Sequence, residues 1–118
     1  MNLKDRQIEV LHTVYDYIPN LINGIQDAIS YVHDRRETEF YRLMPQIIEG
    51  IEWVINAVGL TEDIHKESVE IEDINEVLNE IVEGLENGDS VLIADVLECE
   101  MLVRVIKWYE SISKVVCS

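Results

Sequence analysis

The chain has 118 residues, enough for one domain with a substantial hydrophobic core and no need of disulfides or metals. A hydrophobic share of 47% excludes a disordered chain despite the charge. The formal charge of −15, with 24 acids against 9 bases, argues against nucleic acid and against an anionic membrane surface as partners.

The segment from Met1 to Gln7 carries no apolar signal core, and no apolar run reaches the length of a membrane span. The first helix is read from Ile8 to Val32. Ile8, Leu11, Tyr15, Ile18, Ile22, Ile25, Ile29 and Val32 alternate spacings of three and four, which is one stripe along a helix. Val14, Leu21 and Ala28 widen that stripe. The polar stretch from His33 to Glu39 reads as a turn, with Thr38 as the cap of the next helix.

Phe40, Met44, Ile47, Ile51, Val54 and Val58 repeat the spacing, and Gly59 supplies a left-handed stop. A link from Leu60 to Val69 follows, with room for a short helix capped by Thr61. The third helix runs through Ile71, Ile74, Leu78, Ile81 and Leu85 and ends at Asn87-Gly88, with Asp89 or Ser90 capping the fourth. The fourth helix, Val91 to Val116, is apolar around most of its circumference. With no sustained period-two alternation, the expected fold is all-α. One domain, residues 1–118, forms an antiparallel up-down-up-down four-helix bundle.

A nine-residue pattern occurs twice, 26 positions apart: Ile18-Pro19-Asn20-Leu21-Ile22-Asn23-Gly24-Ile25-Gln26 and Met44-Pro45-Gln46-Ile47-Ile48-Glu49-Gly50-Ile51-Glu52. Ile81-Val82-Glu83-Gly84-Leu85-Glu86 is a shorter echo. A proline inside a helix costs about 3 kcal/mol and a glycine about 1 kcal/mol, so packing must compensate both. In a hairpin turning between Asp34 and Arg35, Pro19 lies level with Gly50 and Pro45 with Gly24. The first two helices are therefore expected to be proline-kinked, with close backbone approach at both glycines.

Candidate chemistry is sparse. Glu9-x-x-His12 and Glu62-x-x-His65 have the spacing of carboxylate and imidazole ligands in di-iron bundles. However, Glu9 and His12 fall on the solvent side of their stripe, His65 sits in the link, and no core glutamate completes a cage. Glu72-Asp73-x-x-Glu76 with Glu86-x-x-Asp89 resembles the paired-acid motif of the all-α nucleotide pyrophosphatases, which implies magnesium, yet Asn87-Gly88 breaks the helix inside the second half. From Glu62 to Asp89 the chain has eleven acids and one base, Lys66. Such a run is a solvated face or a dock for a basic partner. No phosphate loop, nucleophile elbow or zinc spacing is present, so no catalytic residue, metal or cofactor is expected. Two cysteines make no disulfide framework; Cys99 reads as a core thiol, and the cytoplasm is the expected compartment.

The fourth helix has more apolar surface than one bundle face uses. One line runs through Leu92, Val96, Cys99, Val103 and Ile106; a second runs through Ile93, Leu97, Met101, Val105, Trp108, Ile112 and Val115. The first is expected to face the core. Trp53, Met101, Val105, Trp108 and Ile112 are then the candidate partner-binding residues, serving a homodimer or a helical protein partner. The segments from Ile47 to Val54 and from Leu92 to Glu100 resemble small helical proteins of Gram-positive bacteria catalogued as domains of unknown function. In size, acidity and layout the chain is also similar to the flagellar export chaperones. Neither resemblance carries functional residues. The reading is a non-enzymatic protein-interaction module; the alternative is a metal-dependent enzyme using the third-helix acids or the Glu-x-x-His pairs.

Overall fold

In a computed structural model the protein is described at residues 2–65, 69 and 71–117. Helix α1 spans Leu3–His33 and α2 spans Glu37–Leu60, followed by a single 3-10 turn, Glu62–Ile64, and by α3, Ile74–Glu86. The last rod, α4 (residues 90–116), is α-helical over Ser90–Val96 and Leu102–Val116, with a π-helical turn at Leu97–Met101 between them. The fold is all-α, with four helices and no strand among the described residues. Lys66, Glu67 and Glu70 of the acidic run lie outside the described residues.

The helix ends follow local chemistry, with some departures from the sequence pattern. Asn2 caps α1, its Oδ1 accepting from the Asp5 amide at 2.9 Å. Thr38 lies inside α2 and caps nothing; Arg36 is the flanking residue, and its carbonyl accepts from the Phe40 amide. Gly59 is helical rather than left-handed, and α2 continues to Leu60. Thr61 stands between α2 and the short 3-10 helix that follows: its hydroxyl turns back to the Ala57 and Val58 carbonyls rather than capping that helix, while its carbonyl accepts from the Ile64 amide. Helix α3 starts at Ile74 rather than Ile71. Of the two candidate caps for α4, Asp89 serves: its Oδ1 accepts from the Leu92 amide at 3.1 Å.

Both hairpin turns have one design. At the end of α3 the Asp89 amide bonds to the Gly84 carbonyl and the Gly88 amide to that of Leu85, around Gly88 at φ +63°. At the end of α1 the Arg36 amide bonds to the Tyr31 carbonyl and the Arg35 amide to that of Val32, around Arg35 at φ +60°. Residue 35 thus does a glycine's work with a Cβ attached.

Helix α1 is the spine. It packs against α2 along one flank and α4 along the other, while α3 packs on α4. Its fully enclosed positions are Leu11, Val14, Ile18, Leu21, Ile25 and Ala28, with Tyr15, Ile22, Ile29 and Val32 half-buried. The core line is therefore turned toward the residues that merely widened the sequence stripe, because α1 has neighbours on two sides. Gln7, polar but buried, donates from Nε2 to the Leu60 carbonyl at 3.1 Å and to Asp63 Oδ1 at 2.7 Å, tying the start of α1 to the end of α2. The molecule measures 48 × 23 × 20 Å, its long axis being about the length of the 31-residue α1 at 1.5 Å per residue.

The repeat glycines differ from one another. A Cβ on Gly50 would overlap the Tyr17 hydroxyl and lie 3.3 Å from Leu21 Cδ1, so two residues flanking Pro19 pack onto Gly50. A Cβ on Gly84 would lie 2.6 Å from Ile93 Cγ1 in the α3–α4 hairpin. At Gly24 the nearest atom is Ile47 Cγ1 at 3.9 Å, an ordinary contact. The expected close backbone approach is thus seen at neither Gly24 nor Gly50, since side chains of the facing helix, Ile47 at the one and Tyr17 and Leu21 at the other, are the nearest atoms. Both α1 and α2 continue through their prolines, Pro19 and Pro45.

Candidate functional site

The two apolar lines of α4 have exchanged roles relative to expectation. Met101, Val105 and Ile112 are 0% exposed and Trp108 is 1%, so four of the five expected partner-binding residues belong to the core. The other line is outward except at Val96, which is buried: Leu92 is 39% exposed, Val103 45% and Ile106 40%, with Cys99 also exposed. Cys99 is correspondingly a surface thiol rather than a core one.

The physical reason lies in the π turn. Buried residues 93, 97, 101 and 105 are four apart, and on a straight α-helix each such step drifts by about 40°. Across Leu97–Met101 the Leu102 amide reaches back five residues to the Leu97 carbonyl, and the wider turn absorbs that drift. All four side chains are then buried together on the side of α4 that packs on α1. The inserted residue pushes the line through Cys99, Val103 and Ile106 outward.

Trp53 is 40% exposed on α2, its ring meeting Tyr17 edge-on with centroids 5.2 Å apart. Across the molecule Tyr15 stacks flat on Tyr109 at 4.7 Å and holds α1 to α4.

Beside the outward line, Arg104 joins α4 to α3. Its Nε and Nη2 donate to the two carboxylate oxygens of Asp73 at 3.3 and 2.6 Å, and its Nη1 donates to the Glu100 carbonyl at 2.9 Å. That fork holds the Asp73 carboxyl below the usual aspartate range. One turn away the charge of Glu100, together with the hydrogen bond that a protonated Glu80 donates to it, pushes Glu80 above the usual glutamate range.

The residues considered for metal chemistry do not converge. Glu9 and His12 are exposed. His65 Nε2 lies 3.0 Å from the Thr61 hydroxyl, burial holds its pKa below the usual value, and its Nδ1 is buried without a partner. Asp73 is engaged by Arg104, whereas Asp89 caps α4 at the far end of the 13-residue α3, about 20 Å away. Among the described residues no group of three or more His, Cys, Asp or Glu side chains is arranged to hold a metal ion. A cleft of about 660 Å³ between the α1–α2 turn and the start of α4 is lined by His33, Arg35, Glu37 and Asp95 among others, and there Ser90 Oγ donates to Glu37 at 2.9 Å. No described helix is long and apolar enough to cross a membrane.

A family model described as a domain of unknown function, DUF8042, matches residues 9–111, which covers α2 and α3 and most of α1 and α4. The chain belongs to the DUF8042 family. No curated protein and no solved structure matches it. The matched span of this DUF8042 domain includes the Pro–Gly repeat, the π turn and the outward line of α4.

Proposed function

We propose that this DUF8042 domain is a non-enzymatic protein-interaction module that docks a helical surface, in the cytoplasm, through the outer face of α4. The scaffold in this reading is an antiparallel up-down-up-down four-helix bundle, with α1 and α2 bent at Pro19 and Pro45. The observation that carries the reading is the run of exposed apolar side chains on one rod, Val91, Leu92, Val103 and Ile106. Contiguous apolar surface bordered by charge is the usual mark of a contact site. Trp53 supports it as a second exposed anchor, since tryptophan is enriched where partners bind.

The test is paired. Val103→Glu with Ile106→Glu should keep the helical circular dichroism and a cooperative thermal melt, because neither side chain belongs to the buried core, while abolishing cross-links formed through α4 in host extract. Elemental analysis and a magnesium or manganese titration address the metal-dependent alternative. Stoichiometric metal lost on Glu76→Ala, or cross-links indifferent to the double substitution, would overturn the reading.

A further inference from the structure

We infer that the occupant of the outer face of α4 is a second copy of this chain, seated antiparallel across a two-fold axis near the middle of the helix. The inference rests on the docking reading above. Two outward residues straddle that middle, near Met101, evenly: the exposed Cys99 and Val103 lie two residues to either side. An apolar strip centred in this way covers itself when one copy is turned end for end.

Charge selects the orientation. From Asp89 to Glu100 the helix carries four acids, Asp89, Asp95, Glu98 and Glu100, and no base. From Arg104 to Lys114 it carries three of the chain's 9 bases, Arg104, Lys107 and Lys114, against one acid, Glu110. A parallel pairing sets acids on acids and bases on bases. An antiparallel pairing about an axis near Met101 sets Asp95 level with Lys107 of the other copy and Cys99 level with its Val103. Asp95 and Lys107 are both exposed. Arg104 is already held by Asp73, so Lys107 carries the pairing. A chain of charge −15 repels its own copies, and the bases of this stretch offset that repulsion where the two helices would meet.

Light scattering on a sizing column, from micromolar to hundreds of micromolar protein, should give twice the monomer mass, falling with dilution. Asp95→Lys alone and Lys107→Asp alone should each lose the doubled mass while keeping the helical circular dichroism of wild type. The variant carrying both should regain it. Mixing the two single variants should also restore it, because each supplies what the other lacks in an antiparallel pair. A wild-type protein that stays monomeric throughout, or single variants that do not combine, would overturn the self-pairing. Should the Val103→Glu/Ile106→Glu protein then still lose a cross-linked partner in host extract, the docking reading survives with a different occupant. Should it lose none, both fall.

Discussion

The Tyr17 hydroxyl sits where a side chain on residue 50 would begin, so Gly50 is the seat on which α1 rests against α2. Gly50→Leu is expected to destabilise by about 1–3 kcal/mol through overpacking. Gly50→Ala displaces a movable phenol and gains about 1 kcal/mol of helix propensity, so it should alter Trp53 fluorescence more than stability. Gly84→Ala meets Ile93 Cγ1, an atom close to the backbone of a fully buried residue, and should cost about 1–3 kcal/mol. Gly24→Ala, with 3.9 Å of clearance to Ile47, should stabilise by about 0.5–1 kcal/mol. Urea melts of the four variants rank them; a costly Gly24→Ala would refute the packing account.

Arg35 bears a Cβ in the left-handed conformation that Gly88 occupies freely at the equivalent turn. Arg35→Gly should therefore raise stability by about 0.5–1 kcal/mol, the relief of strain exceeding the extra freedom of the unfolded chain. The reverse change, Gly88→Arg, should lower it by a similar amount. Thermal melts measure both, and equal melting temperatures for the Arg35→Gly protein and wild type would contradict the strain.

Opposite pH effects are built into the α3–α4 contact. Asp73 is held low by Arg104, with Lys107 adding to the effect, so its stabilisation is present above the usual aspartate range and lost as pH falls through its lowered value. Glu80 is held high by Glu100 and secondarily by Glu76, so its repulsion is felt at neutral pH and relieved as pH falls through its raised value. Glu80→Gln should raise the melting temperature at neutral pH and reduce the gain seen on mild acidification. Arg104→Gln should lower it at neutral pH and leave the strongly acidic value unchanged. Melts across this range decide the matter, and a Glu80→Gln protein with wild-type pH dependence would show that Glu100 does not hold Glu80 high.

Much of this architecture was legible in the residues. The apolar periods of Leu11 to Ala28 and Phe40 to Val58 mark two rods, and Asn87-Gly88 marks a turn whose glycine does take the left-handed conformation. The first turn was less plain, because Arg35 occupies a glycine's conformation and sends no glycine signal. Thr38 and Gly59 misled for a related reason: residues with a propensity for helix ends sit inside a helix when its apolar stripe runs on past them. The inversion on α4 had a readable signal. The core line has seven apolar members including Trp108, against five on the outer line. Its successive four-residue steps from Ile93 to Val105 look like a drifting stripe only if the helix is assumed to be α throughout.

That spacing yields a further expectation. A π turn is an α-helix with one residue added, so deleting Cys99 should convert Leu97–Met101 to ordinary helix while Ile93 and Trp108 keep their faces. The step from Leu97 to Met101 becomes three residues, and the buried spacing becomes the regular alternation of four and three. Deleting Lys107 instead removes a residue where there is no surplus, rotating Trp108 and Ile112 by about 100° against the rest of α4. Turning Trp108 out of the core alone costs about 3–5 kcal/mol. The chain lacking Cys99 should therefore retain a cooperative melt close to that of wild type, while the chain lacking Lys107 should lose most of it. Equal damage from both deletions would mean that α4 does not hold its register through the π turn.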